Sequence, residues 1–543
     1  MVTERTIINA LIIGATCILV PFIISTTLTP GTGIFEYTPV LFFGGMGLMV
    51  LSFFFLKDNL CICPLLGAGV VGSLNFLPLP LTGTDIACIM LILYYITGYV
   101  IIRQKRIKLG KTKLLWPILI ITSIVLYHNH SLSVGILGGD TEGGRAAILI
   151  YLVVLAYFCG INISSPSVHF LGRVPLYMVI LCAVTSLPFL FSTIFPGLAP
   201  LLYYITGNVN VDAYMETQAG GTSLGTGGAI GRMGAFAAVG GVLQLYLLCH
   251  YPIASWLRPE RWWVAGLSLI CLMCAVASGF RNVLFGFFMI TLVGAWAYYS
   301  WRSLFLPGAL FIVTVLLILA SSNNIIRLPT DKLPLIAQRT LSFLPGNWSD
   351  DALESAKASN QFRTDIQDVY IKEYLKRSPL IGNGFTINTK EYESYGDALK
   401  RGGEDPRYAQ AKLFIEGKLF HTGWISLYDT VGIIGSIAFL ALGWSEIRMA
   451  SHFVFGPKAD RRSSLFPFYV WILISVVTMM ITYFTVFGEF SDTFMNLCVY
   501  GIVLSQLSDI EGTTEISVAL GKSKDQMEFT GLKGAHYGYQ SKY

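Results

Sequence analysis

The chain has 543 residues, 54% hydrophobic and 13% charged, with a formal net charge of +5 and a mean hydropathy of +0.63. Soluble domains carry about a quarter charged residues, so this balance excludes an ordinary soluble globular protein and describes a polytopic membrane protein. The modest net charge is spread over short loops, and no nucleic-acid partner is expected.

A helix needs about 20 apolar residues to cross roughly 30 Å of hydrocarbon. By that measure the chain holds about fourteen apolar spans. They fall near 7–28, 40–56, 62–80, 84–102, 114–129, 146–163, 172–195, 228–250, 262–279, 281–300, 303–320, 422–445, 464–484 and 492–507. The first run is too long for a cleavable signal and continues into the multi-span pattern. Few polar groups other than Asn and Gln interrupt the runs, which argues against an ion-conducting lining. The ten cysteines lie in or beside apolar segments, and Cys271-Leu272-Met273-Cys274, despite its redox spacing, reads as helix packing. Neither a metal-ligand cluster nor a disulfide framework is visible.

Lys and Arg in short loops set orientation. The basic run Arg103–Lys113, then Arg258 with Arg261, Arg302, and Lys458 with Arg461 and Arg462, all fall on one side, the cytoplasm, together with both termini. The opposite side receives 130–145, 196–227, 321–421 and the tight turn Ser278–Asn282. The expected organisation is 1–320 with about eleven helices, a large exterior loop at 321–421 with an amphipathic helix, three spans in 422–508, and a polar cytoplasmic tail at 509–543.

Four residues on that exterior side carry chemical potential. Arg232 follows the glycine-rich run Gly220–Gly231 and opens a helix, where free N–H groups and a guanidinium fork suit phosphate. Read alone, it is also a flexible loop followed by a snorkelling arginine. Arg281 occupies a turn between two apolar helices, where a charge must meet headgroups, a carboxylate or an anion. Arg363 lies on a helix-period segment with an apolar stripe at Phe362, Ile366, Val369 and Leu375, and with Gln367, Tyr370 and Tyr374 on the neighbouring face. Pro379 and Gly382 end that helix. His421 opens the next membrane helix, and an imidazole near its ordinary pKa of about 6.5 suits either an interface or general-base work. Asp429, two turns further, would orient a neighbour or pair with an arginine.

Taken together, these stretches resemble the family of bacterial O-antigen ligases and O-antigen or exopolysaccharide polymerases. The resemblance rests on Ser278 to Arg281 as an arginine after a small-residue turn, and on Arg363 followed by Pro379, Gly382 and Gly384. It rests further on His421 followed by Asp429, Gly432 and Gly435. Arg232 is a looser match. The chain departs from the pattern at Thr422, where the family often has Asn, and at Gln367, where it often has an aromatic residue. The specific part covers roughly residues 225–440.

The resemblance implies an all-α, GT-C-like membrane glycosyltransferase of the bacterial inner membrane. It would move a glycan from an undecaprenyl-pyrophosphate carrier to a glycan or lipid-linked acceptor at the periplasmic face, with inversion at the anomeric carbon and no metal or other cofactor. Arg281 and Arg363 would clamp the diphosphate with Arg232 assisting, His421 would be the base, and Tyr370 and Asp429 would support the site. Polymerase, ligase and protein-directed transferase differ only in acceptor. A lipid-linked-glycan flippase is the reading from another class; transporters place polar sites in broken helices at mid-membrane.

Overall fold

The computed structural model describes residues 56–74, 81–98, 110, 112–128, 144–195, 197, 199–206, 234–256, 258–298, 333–342, 348–385, 387, 406–420, 422–457, 459–486 and 488–511. Two of the expected site residues, Arg232 and His421, lie outside them, as do the expected spans 7–28 and 303–320 and the tail after Glu511.

The described chain is almost wholly helical. It begins with a 3₁₀ helix, Lys57–Ile62, and α1 (Cys63–Gly67), then a two-residue hairpin, β1 (Ser73–Leu74) antiparallel to β2 (Leu81–Thr82). There follow α2 (Gly83–Tyr95), α3 (Thr112–His128), α4 (Gly144–Asn162), α5 (Val168–Thr185), α6 (Leu187–Ile194), α7 (Ala199–Thr206), α8 (Gly234–His250), α9 (Trp262–Ala277) and α10 (Arg281–Ala297). The large loop holds α11 (Leu335–Leu341), α12 (Asp350–Val369), a π-helical turn at Tyr370–Tyr374 and α13 (Pro406–Glu416). Two long helices, α14 (Gly423–Phe455) and α15 (Phe466–Thr485), precede a last one, α16, at 490–511.

Five described stretches are long and apolar enough to cross a membrane, at Arg145–Asn162, Val168–Ser192, Pro259–Ala277, Gly423–Phe455 and Phe466–Thr485. The protein is therefore a membrane-embedded helical bundle. Its core gathers fully buried side chains such as Tyr157, Phe439, Phe468, Trp471 and Phe494. There α14 packs on α3 and α15, and α8 packs on α9 and α10. A separate, smaller core lies within the loop, around Ile366, Val369, Tyr370, Tyr374, Ala411, Ile415 and Phe420, with Phe362 and Leu375 packed against it. The apolar stripe read from the sequence is this face.

Two span assignments change, and a third gains a kink. Instead of one helix at 62–80, residues 57–71 run alongside α5 as the 3₁₀ helix and α1. Asn59 Oδ1 accepts from the Ser167 N–H at 2.9 Å at one end, and Val71 N–H donates to Thr185 Oγ1 at 2.9 Å at the other. The span expected at 172–195 is present as Val168–Ser192, with a kink at Ser186 where Pro188 cannot donate to the preceding turn. The span expected at 422–445 continues to Phe455, and at 33 residues, or about 50 Å, α14 exceeds the thickness of a bilayer core. The excess is marked by a break at Gly432, with φ 64° and ψ −165°, a conformation open essentially to glycine alone.

Candidate functional site

The Arg281 turn is built by its small residues. Ser278 is buried, donates its hydroxyl to Ala275 O at 2.7 Å and accepts the Phe280 N–H at 3.1 Å, while Gly279 takes φ 76°. Two helices can then meet almost end to end, and Arg281 becomes the first residue of α10. Over this turn lies the start of the loop. Thr340 of α11 donates to Val276 O at 3.1 Å, and Gln338 Oε1 accepts the Ser349 N–H at 2.9 Å, which fixes where α12 begins. Ser349 caps α12 by accepting the Ala352 N–H, and Asp350 and Asp351 complement the positive end of the helix dipole.

So anchored, α12 crosses the Arg281 turn. Arg281 Nη1 donates to Asn360 Oδ1 at 3.3 Å. Asn360 lies one turn before Arg363 on the same helix, and the two guanidinium groups are within electrostatic reach of one another. Both arginines are half-buried, and among the described residues no carboxylate pairs with either. The contrast with the neighbouring cations is direct. Lys412 Nζ meets Glu373 at 2.9 Å, Lys418 Nζ meets Asp429 Oδ2 at 2.5 Å, and Arg377 lies 3.6 Å from Glu416 and stacks over the Tyr374 ring at 3.9 Å. Two like charges brought near one another with no counter-charge among the described residues repel, and an anion would relieve that repulsion.

Beyond Arg363, α12 passes into the π-helical turn, whose wider backbone swings Tyr370 and Tyr374 into the loop core, stacked 6.1 Å apart. Phe420 and Trp424 meet Tyr370 edge-on. Tyr370 is thus a core residue rather than a member of a polar face beside Arg363. Its hydroxyl donates to Asp429 Oδ1 at 3.3 Å; burial and the Asp429 charge push its pKa well above the ordinary phenol value, so it stays a neutral donor. Asp429 is 2% exposed and also accepts from Asn383 Nδ2 at 2.8 Å. Its ion-pair partner is Lys418 rather than an arginine, and it also orients its neighbours Asn383 and Tyr370. Asp429 thereby ties together the π-turn, the segment after Pro379 and the end of α13.

The break at Gly432 receives that segment. Asn383 and Gly384 donate their N–H groups to Asp429 O and Thr430 O, at 2.5 and 3.1 Å. Ile433 and Ile434 donate to Pro379 O and Leu380 O, at 2.9 and 3.0 Å. The backbone groups freed by the broken helix are therefore satisfied by the loop. The glycines permit the approach: a Cβ on Gly382 would stand 2.6 Å from the backbone of Asp429, and one on Gly432 would stand 2.4 Å from Leu380. Gly384 lies against His128, whose Nε2 pairs with Ile381 O at 3.0 Å.

Asn360 and Lys418 were not singled out from the sequence. Asn360 had a signal, its spacing of one turn from Arg363. Lys418 had none, since it reaches Asp429 from a left-handed backbone conformation, φ 58°, that lysine rarely adopts. No family model matches the chain, and no curated protein matches it either.

Proposed function

We propose that this protein transfers a glycan from an undecaprenyl-pyrophosphate carrier to a glycan acceptor at the exterior face of the bacterial inner membrane, as a GT-C-like, inverting, metal-independent transferase. The observation that supports this reading is the pair Arg281 and Arg363, drawn together at the loop end of the bundle without a carboxylate between them. Breaking the glycosidic bond leaves a diphosphate whose charge grows in the transition state, and preorganised guanidinium groups stabilise such charge. In this reading the loop is a lid that lowers Arg363 onto the Arg281 turn, Arg232 assists, and His421 takes the proton of the acceptor hydroxyl. Tyr370 and Asp429 act from behind, by fixing the chain on either side of the lid.

The test uses full-length protein in vesicles with a purified lipid-linked glycan donor and its acceptor. Arg281→Gln and Arg363→Gln are each expected to lower kcat by about 10²–10³-fold, the scale of losing one transition-state donor. His421→Ala is expected to lose about 10²–10⁴-fold. Full transfer by all three variants would remove the reading. A flippase reading draws on the broken helix α14, since transporters carry such breaks. It predicts movement of the lipid-linked glycan between leaflets with no new glycosidic bond, which the same vesicles report.

A further inference from the structure

Deep in the bundle lies a polar group that glycan transfer does not use. Glu446 sits on α14 about 21 Å beyond the Gly432 break, at 1.5 Å per residue, and is fully buried. The apolar run that predicts this span ends at residue 445, one position before the acid. Neither of its carboxylate oxygens has a hydrogen-bond partner among the described residues.

Its surroundings are polar and, among the described residues, show no cation. A Cβ on Gly501 of α16 would stand 3.3 Å from Glu446 Oε1 and 3.2 Å from Tyr157 Cε2, so the missing side chain lets α4, α14 and α16 converge there. Tyr157 OH and Ser505 Oγ are buried next to one another, and Ser475 Oγ is buried next to Tyr500. The titratable groups facing Glu446 are Tyr157 from α4 and Cys498 and Tyr500 from α16, with Cys88 of α2 behind Cys498. Ser475 of α15, beside Tyr500, is neutral.

An ionised carboxylate cannot stay in such a place unpaired. It carries one negative charge, so one positive charge neutralises it and a divalent ion would overshoot. The neighbouring hydroxyls supply hard oxygens, which suit a hard cation. We propose that Glu446 is the centre of an intramembrane binding site for one small monovalent cation, a proton or a sodium ion, flanked by the oxygens of Tyr157 and Ser505. This site is separate from the arginine pair and independent of glycan transfer.

The test is modification of the full-length protein by a hydrophobic carbodiimide, which attacks a protonated carboxyl group in an apolar setting, followed by mass spectrometry. An adduct is expected on Glu446. Its rate should fall about tenfold per pH unit once the acid titrates, because the protonated fraction falls by that factor. Replacing choline chloride by sodium chloride at fixed pH slows the reaction if sodium is the resident ion and leaves it unchanged if a proton is. No adduct under any condition, or one formed at the same rate at every pH and salt, would overturn the proposal and make Glu446 a permanently neutral structural acid. The wild-type measurement decides without any variant. Gly501→Ala, which places a methyl against both Glu446 and Tyr157, is expected to alter the rate; indifference to it would also count against the site.

Discussion

Asp429 illustrates what one buried charge demands. Its carboxylate is held by Lys418, Asn383 and Tyr370, which come from three separate parts of the loop. Removing one partner of a buried pair leaves the other uncompensated, so Asp429→Ala is expected to cost about 3–5 kcal/mol. Tyr370→Phe, which deletes one longer bond to the same carboxylate, should cost about 1 kcal/mol. Denaturant titration in detergent with a probe in the loop checks the ratio, and equal losses would show that Asp429 is not the hub. Glu373 offers a pH test. Burial alone would raise its pKa, but the bonds from Tyr408 and Lys412 outweigh that and hold it below the ordinary value of 4.5. The same bond holds the Tyr408 phenol above its ordinary value of 10.0. A depressed acid contributes stability above its unfolded pKa and loses it as pH falls through the folded one; a raised phenol contributes below its unfolded pKa and loses it as pH rises. The contact between α13 and the π-turn is therefore expected to hold between these limits and to loosen on either side, read by hydrogen exchange across 406–416. Glu373→Gln should abolish the acid limb.

Among the elements, α14 is the one whose local chemistry is least ordinary. Its continuous apolar pattern would carry an unbroken helix, yet Gly432 interrupts it and the loop segment from Pro379 to Gly384 fills the gap. The interruption costs helix hydrogen bonds that four loop bonds restore. Gly432→Ala would force a side chain into a positive φ and drive its Cβ to within 2.4 Å of Leu380. The expected outcome is release of residues 378–384, with a cost of about 1–3 kcal/mol from backbone strain and more from the lost bonds. Protease cleavage near Leu380 should rise while the membrane core stays folded. Unchanged protection there would refute the docking role of the break. The Gly-x-Gly of the loop has the same origin: Gly382 lies against the α14 backbone and Gly384 against His128.

At the scale of the whole molecule, two cores are joined at one end of the bundle. The loop core is tied down by Asp429 and by Phe385 stacking on Phe490 at 6.1 Å, and its far end rests on the Arg281 turn through α11 and α12. If Arg281 and Arg363 grip one diphosphate, their effects cannot be independent. The double variant Arg281→Gln with Arg363→Gln is expected to lose clearly less than the product of the single losses in kcat/KM. Multiplicative losses would assign the two arginines to separate ligands.

The sequence alone determined the membrane class, the apolar runs that the structure shows as five stretches long enough to cross a membrane, the apolar face of the Arg363 helix, and the small-residue turn at Arg281. These follow from local quantities: apolar run length, helical period, and the backbone freedom of Ser278 and Gly279. Only the tertiary structure decided that Asn360 brings Arg281 towards Arg363, that Lys418 neutralises Asp429, and that the Gly432 break is filled by the loop. It also decided that Glu446 lies buried within α14, a helix long and apolar enough to cross a membrane. Each of these is a pairing between residues distant in sequence. Burial makes such pairings necessary, because a charge or an open backbone group taken out of water must find a partner, but it does not say which residue will supply it. Asp429 announced the need for a cation. The left-handed turn at Lys418, invisible to any helical or apolar period, chose which one.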